Sequence, residues 1–276
     1  MEHSFVFGAT GKSGGGMLLP AERHVGCLEM LYVRRGSVTV KTAMCDFRAG
    51  TGDIFFLAPD MVRTVSAQGG DAAVESIWFS ISFFEDLPEA IDRDLFYMFL
   101  VQSRTRENLY SSGAPLYHCL KDAFETCYEE YLTRDLCYCL RIRGRLYLMM
   151  AQLISSYGAT RENDRMVYHN VLRLRDSLTY IDSHFRERIT VPDLAAYLQV
   201  TPDYYTKLFR DSIGKTTVDY VNSVRINRGM MLLSETDLPV SDIAADIGFA
   251  SGNYFSKMFR AVLGLTPLAF RRGAHR

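Results

Sequence analysis

The chain has 276 residues, with 31 Lys+Arg against 32 Asp+Glu and a formal net charge of −1. At 48% hydrophobic and 23% charged residues, it is too apolar and too balanced in charge to be disordered. It has no apolar run of about 18 residues, so no spanning helix is predicted. Its first residues lack the basic head and apolar stretch of a secretory signal. We therefore expect a cytoplasmic protein with no membrane contact.

Residues 24–83 predict a small β-barrel or sandwich. Short runs rich in apolar and β-branched residues occur at 28–33, 37–42, 54–57, 62–65 and 74–83, and turn residues separate them. The segment 47–53 contains two glycines and is interpreted as a loop. Ser13–Gly16 is interpreted as part of a flexible N-terminal arm.

Residues 115–157 change to helical periodicity, and we predict two amphipathic helices that are split near 133–135. Packing against the barrel and a dimerisation face both explain their apolar stripes, and the sequence leaves the two open. The polar segment 158–167 is predicted as a linker. The predicted fold class is α+β, with an N-terminal cupin-like β-barrel and flanking helices in 1–157 and an all-α domain in 168–276.

The C-terminal part contains an internal repeat. Residues 190–196 recur at 239–245, and residues 205–210 recur at 255–260, a shift of about 50 residues. Each copy predicts a helix, a tight turn and a second helix. Ala195 and Ala244 are small enough for those helices to cross closely, which is the geometry of a helix-turn-helix.

The second helix of a helix-turn-helix lies in the DNA major groove, where polar and basic side chains meet base edges and phosphates. A single helix face with polar and basic side chains could simply be exposed to solvent. Two matching copies of that face favour DNA binding. A long helix over 216–233, with Val218 among its apolar positions, would hold the two helices about one DNA turn apart, roughly 34 Å. The predicted DNA-binding residues are Asp203, Thr206, Lys207, Arg210, Gly252, Asn253, Ser256, Lys257 and Arg260.

The stretch 189–272 resembles the double helix-turn-helix domain of AraC/XylS-type transcription regulators. The resemblance is carried by Ile243-Ala244, Gly248-Phe249, Tyr254-Phe255-Ser256, Phe259-Arg260, Gly264, Thr266-Pro267 and Phe270-Arg271-Arg272. Segments 32–36 and 50–54, with Pro59, also look like the cupin sensing domain common in this family.

The resemblance implies an effector-controlled regulator, an activator rather than a repressor, that binds double-stranded promoter or operator DNA. It also implies a homodimer and RNA polymerase as a partner. The family's base-reading positions fall here on Asp203, Thr206, Lys207, Gly252, Asn253 and Lys257. Gly229 stands where the family usually has alanine, which predicts a softer helix because glycine costs about 1 kcal/mol there.

Catalytic cupins hold a metal with three histidines and a glutamate. Here His24 and Glu29 match two of those positions, whereas Gly26 and Arg63 occupy the other two. Two ligands do not close a metal site, so we expect no metal, no cofactor and no catalysis. A metal-dependent cupin enzyme with a DNA-binding tail is the less favoured alternative. Cys137 and Cys139 show no metal or redox spacing beyond their proximity.

Four residues are the candidate effector-binding set: His24, Glu29, Arg63 and Trp78. Strand alternation places Leu31 and Val33 on the same side as Glu29. Arg63 could neutralise an acidic ligand or pair with Glu29, and Trp78 could stack on a sugar face or pack in the barrel. A carbohydrate is the leading effector hypothesis. A regulator controlled by abundance or a protein partner, with no ligand, is the second reading.

Overall fold

A computed structural model describes the backbone of residues 5–14, 17–22, 26–84, 90–105, 108–159 and 162–274, and the side chains of 26–84, 93–104, 108–156 and 169–272. The fold is α+β, as predicted, with strands in the N-terminal part and helices in the C-terminal part. The strands are β1 (Phe5–Gly14), β2 (Met17–Glu22), β3 (Cys27–Arg35), β4 (Ser37–Thr42), β5 (Asp46–Gly50), β6 (Ile54–Leu57), β7 (Arg63–Ala67), β8 (Asp71–Ser80) and β9 (Leu109–Tyr110).

Two antiparallel sheets enclose the N-terminal core. One sheet has the order β1-β8-β3-β6-β9 and the other β2-β7-β4-β5. Alternate residues of β3 serve two different cores, because successive side chains of a strand point to opposite faces. Leu31 and Val33 pack between the sheets, while Met30 and Tyr32 pack on the outer face. This double burial explains why the residues at 30–33 of β3 are apolar in succession.

Two sequence predictions in this domain need correction. Residues 46–50 form a strand rather than a loop, because Phe47 and Ala49 alternate into the core around the exposed Arg48. Residues 5–14 form β1, which pairs with β8 from Phe5↔Phe79 to Gly14↔Asp71, instead of a free arm. The glycines at 15 and 16 lie outside the described residues.

Three helices cover the outer face of the first sheet: α1 (Ala90–Thr105), α2 (Tyr117–Thr133) and α3 (Tyr138–Ala159). Helices α2 and α3 match the two helices predicted from residues 115–157, whereas α1 was not predicted. Leu120, Phe124, Leu146 and Met150 pack with the outer-face residues of β3. Packing on the sheet therefore accounts for the inner stripe of each predicted helix.

Arg34 fastens this helical layer to the sheet. Its guanidinium donates to both carboxylate oxygens of Glu125 on α2, at 2.5 and 2.8 Å, and to Glu75 on β8 at 2.5 Å. The hydrogen bonds from Arg34 hold the pKa of Glu125 below its ordinary value of 4.5. A bidentate arginine–carboxylate pair is among the stronger ion pairs in proteins.

We expect Glu125→Gln to lower the melting temperature at neutral pH and to lose this effect in acid. Because the folded pKa of Glu125 is depressed, its contribution is present above the ordinary value of 4.5 and fades as the pH falls through the folded pKa. The pair is partly exposed, so the effect should be modest. Thermal melts across this pH range test it, with the exposed Glu129→Gln as control. A deficit of constant size at all pH values would contradict the assignment.

The predicted linker 158–167 is helical over most of its described length. Helix α3 ends at Ala159 and α4 (Glu162–His184) begins three residues later. The polar composition that suggested a linker reflects two helix ends that meet. Where the domain boundary falls remains a prediction.

Six further helices build the C-terminal domain: α5 (Val191–Tyr197), α6 (Pro202–Ile213), α7 (Thr217–Glu235), α8 (Val240–Asp246), α9 (Gly252–Leu263) and α10 (Pro267–Ala274). As expected, Leu194, Ala195, Ile243, Ala244 and Ile247 are buried. The prediction that Val218 belongs to the apolar face of α7 is wrong, since its side chain is 61% exposed. Tyr220 and Ile226 are buried on α7 instead.

Polar contacts join the two parts of the chain. The Asn227 side chain on α7 donates to the Asp60 carbonyl at 2.7 Å and accepts from the Val62 amide at 2.9 Å. Arg104 at the end of α1 pairs with Asp182 on α4 at 2.6 Å. The buried amide of Asn227 thus completes the hydrogen bonding of the β6–β7 loop.

Candidate nucleic-acid interface

A short polar residue caps the second helix of each helix-turn-helix unit. These two helices, α6 and α9, are the predicted recognition helices. The Thr201 hydroxyl accepts from the Tyr204 amide at the beginning of α6, and the Ser251 hydroxyl accepts from the Tyr254 amide at the beginning of α9. Each cap satisfies one of the amides that the first turn of a helix leaves unpaired. The repeat therefore preserves the start point of the second helix in both units.

The turn before each recognition helix requires a left-handed residue, and the two copies meet that need differently. Gln199 has φ of 55°, and Gly248 has φ of 83°. A Cβ on Gly248 would lie 2.5 Å from the Arg186 carbonyl oxygen. The second copy therefore needs glycine for close backbone approach as well as for its dihedral angle.

The predicted DNA-binding residues share one outward side of α6 and α9. Those that are exposed are Asp203, Thr206, Lys207, Arg210, Asn253, Lys257 and Arg260, whereas Gly252 and Ser256 are half-buried. The Thr206 hydroxyl donates to the Pro202 carbonyl at 2.9 Å, which leaves its oxygen able to accept. Arg210 at the end of α6 also borders the N-terminal domain.

Gly252 has a packing role that the sequence analysis did not anticipate. A Cβ at this position would approach the Ser241 Cα to 3.3 Å. Glycine thus allows the first turn of α9 to lie close to α8. Gly229 on α7 is similar, because an added Cβ would lie 2.9 Å from the Phe255 ring. The alanine usual in the family would crowd that ring, so glycine here serves close helix packing.

Two exposed tyrosines flank the predicted surface and were not among the predicted residues. Tyr204 and Tyr254 are 43% and 46% exposed, and each lies in the first turn of its recognition helix. The Tyr204 hydroxyl accepts from Arg173 at 2.7 Å. Because Tyr204 and Tyr254 occupy equivalent positions in the two copies of the repeat, the repeat could have identified them as candidates.

Two arginines of α7 hold the domain together. Arg225 donates to the carbonyls of Phe185 and Glu187, both at 2.7 Å. Burial lowers the pKa of Arg225. The Arg228 guanidinium lies over the Phe185 ring, 5.7 Å from its centre. Arg225 thus anchors α7 to backbone carbonyls just after the end of α4.

Three of the four predicted effector residues meet at one end of the N-terminal core. Arg63 on β7 donates to Glu29 on β3 through two hydrogen bonds of 3.0 and 2.6 Å. Trp78 on β8 is the direct cross-strand partner of Glu29. Arg63 is fully buried, so of the two roles considered for it, the pairing with Glu29 is the one present. His24 lies outside the described residues.

No cluster of three or more metal-binding side chains occurs among the described residues. The six cysteines are free thiols. Burial raises the pKa of Cys127 to about 12, which makes it a poor nucleophile at neutral pH. Cys137 is exposed and Cys139 is half-buried, and a redox role for either stays open. Within the described helices, none is long and apolar enough to cross a membrane.

Comparisons with known proteins agree with this geometry. Residues 194–273 match the family model described as "Helix-turn-helix domain". The regulatory protein PocR of Salmonella typhimurium is 32% identical over 100 residues, which are 36% of this chain and 33% of PocR. The Msm operon regulatory protein of Streptococcus mutans is 25% identical over 244 residues, covering 86% of this chain and 81% of that protein. The match to PocR thus spans about a third of its length.

The solved structure of ToxT from Vibrio cholerae shares the whole fold. It superposes with a TM-score of 0.55 at 16% identity, and the match covers 98% of both chains. Two helix-turn-helix units joined by one long helix, with exposed polar faces, define a DNA-binding module appended to a β-domain. The C-terminal domain is of the AraC type, as the resemblance predicted.

Proposed function

We propose that this protein is a sequence-specific, DNA-binding transcription regulator of the AraC/XylS kind, and an activator. The observation that carries the proposal is the pair of equivalent recognition helices whose predicted contact residues are mostly exposed on α6 and α9. Lys207 and Lys257 sit at the same place in the two copies and are free of the packing roles seen at Gly252. Binding by both units would require two adjacent major-groove segments.

Lys257→Ala should weaken binding of the full chain to its preferred duplex by about 1–3 kcal/mol, as expected for the loss of one base or phosphate contact. Selection from a random duplex pool supplies the preferred sequence, and a gel-shift titration at fixed salt measures the affinity. Lys121→Ala on α2 is the matched control, because it removes the same charge outside the two units. If the full chain prefers no sequence over random duplex, the proposed function fails.

Helix α3 presents an exposed apolar stripe that supports a homodimer. Leu140 and Leu148 are 70% and 64% exposed, and Gly144 lies midway between them, where an added Cβ would meet nothing within 4 Å. Nothing within the described chain uses the space beside Gly144. An antiparallel, two-fold packing of α3 on its copy would centre on Gly144 and bring Leu140 against Leu148 of the second copy. We infer that this stripe is the dimer interface, separate from the inner stripe that packs on the sheet.

Leu148→Glu should convert the dimer to a monomer in sedimentation experiments, because a charge would be buried without a partner. Leu268→Glu is the control, since Leu268 is also exposed, at 53%, but lies on α10. A wild-type protein that sediments as a monomer at high concentration would contradict the interface, as would a Leu148→Glu variant that remains dimeric.

We further propose that a small molecule controls the regulator through the Glu29–Arg63–Trp78 end of the barrel. The ion pair neutralises both charges, which suits a neutral polar ligand such as a carbohydrate stacked on Trp78. One ToxT structure is described as bound to an unsaturated fatty acid, and an acid of that kind would here have to displace Glu29 from Arg63. Thermal-shift screens of the full chain with sugars and with fatty acids separate the two.

A blank in both screens with folded protein would favour regulation by abundance or a protein partner. The protein is proposed not to be an enzyme, and stoichiometric metal in the purified protein would revive the cupin-enzyme alternative. Recruitment of RNA polymerase and a cytoplasmic location are parts of the same proposal. Transcription from a template with the selected site tests activation directly.

A further inference from the structure

A polar cleft lies between the two domains, and none of Glu29, Arg63 and Trp78 is among the residues that line it. Its volume is about 480 Å³, which is in the range of small-molecule sites. The walls come from the β4–β5 turn, the end of α6, the first half of α7 and the outer side of α9. The cleft therefore touches the barrel and both helix-turn-helix units at once.

One side of α7 presents polar groups to this cleft that form no hydrogen bond with the described residues. Asn222 and Ser223 are 8% and 5% exposed, and neither side chain forms a hydrogen bond with any described residue. Buried polar groups are normally hydrogen-bonded to protein, water or a ligand. Both residues line the cleft with Asp219 and Ile226, at the three- and four-residue spacing of one helix face.

Two cations face the same space. Lys215 is half-buried and Arg210 is exposed at the cleft mouth, and neither forms a salt bridge or a hydrogen bond with the described residues. Burial lowers the pKa of Lys215, while Cys45 and Asp219 oppose this. The positive end of the α7 dipole adds to the field beside Lys215.

Two acids also line the cleft, but their positions differ. The Asp219 carboxylate accepts from the Thr216 hydroxyl at 2.7 Å, so part of it is already used within the helix cap. Asp46 is exposed at the edge of the β4–β5 turn. Among the described lining residues, the charged or polar groups of Lys215, Arg210, Asn222 and Ser223 are therefore the ones open to a ligand.

We propose that this cleft binds a small hydroxylated organic anion, a sugar phosphate or a hydroxycarboxylate. Lys215 and Arg210 hold the anionic group, and Asn222 and Ser223 hydrogen-bond the hydroxyl groups. This cleft is a second candidate site, in addition to the effector site proposed at the Glu29–Arg63–Trp78 end of the barrel. Because a ligand would bridge the β4–β5 turn to α6 and α9, its binding would be coupled to DNA affinity. That consequence rests on the proposed function.

Isothermal titration of the full chain tests the site with glucose 6-phosphate and citrate as probes and glucose as the uncharged counterpart. At least one anion should bind, and any binding of glucose should be unaffected by substitutions in the cleft. Lys215→Gln should weaken that binding about tenfold or more, because it removes a charged hydrogen-bond donor. Asn222→Ala should weaken it severalfold. Lys121→Gln, a charge removal on α2, should leave it unchanged.

The outcomes separate this site from the other proposals. No binding of either anion, or an unchanged affinity for the anion in both cleft variants, would overturn it. Should Asn222→Ala fail to fold, Ser223→Ala and the half-exposed Lys215→Gln still decide the question. A chain that binds the anion but no DNA would keep the site and remove only its regulatory consequence. DNA titrations with and without the anion measure that coupling, which must be reciprocal.

Discussion

Gly248→Ala should destabilise the protein by about 2–4 kcal/mol. A left-handed residue with a side chain costs roughly 1–2 kcal/mol, and forcing extra volume into a packed region adds about 1–3 kcal/mol. Here the added carbon would lie 2.5 Å from the Arg186 carbonyl oxygen and 2.9 Å from its carbon. Both of those atoms belong to the backbone, so no side chain can rotate away.

Gln199→Ala is the matched control, because Gln199 occupies the corresponding turn of the first unit. Its φ of 55° already carries a side chain, so we expect a change within about 0.5 kcal/mol. Urea unfolding of both variants gives the free energies of unfolding. Because Arg186 also donates to the Asp246 carbonyl at 3.1 Å, the damage should centre on the second unit and reduce DNA affinity. A Gly248→Ala variant as stable as the control would contradict the close approach.

Arg63→Met should cost about 3–5 kcal/mol, because it leaves the Glu29 carboxylate buried without its cation. The side chains of Arg63 and Glu29 are 0% and 7% exposed, so water cannot replace the lost partner. Glu29→Gln should also be costly, because it leaves the fully buried Arg63 guanidinium without the charge of Glu29, although the amide oxygen can still accept a hydrogen bond.

Combining Arg63→Met with Glu29→Met should recover part of the stability that Arg63→Met alone loses. Replacing a buried ion pair by apolar side chains is often tolerated, whereas removal of one member is not. The double-mutant cycle from urea unfolding measures the coupling between the two residues. Additive losses would mean that the pair contributes nothing as a pair. Arg34→Met offers a comparison, because the Arg34–Glu125 pair is partly exposed.

The sequence by itself determined the C-terminal domain almost completely. Each unit of the repeat consists of two short helices with caps and buried small residues. These features depend on residues that are close in sequence, so few alternative folds are available. Thr201 and Ser251 cap the second helix of each copy at equivalent places, and Tyr205 and Phe255 are buried. The exposure of Lys207 and Lys257 follows from the same periodicity. Strand alternation likewise predicted the side of the barrel on which Leu31 and Val33 lie.

Only the tertiary structure decided which residues meet across long stretches of chain. The pairing of Glu29 with Arg63 spans 34 residues, and the contact of Asn227 with Val62 spans 165. Strand β5 escaped prediction because its pairing with β4, rather than its local glycines, determines its conformation. Asn222 and Ser223 look like ordinary helix residues until the β4–β5 turn closes over them. Local patterns specify elements, whereas the partners of a buried polar group depend on how distant elements pack.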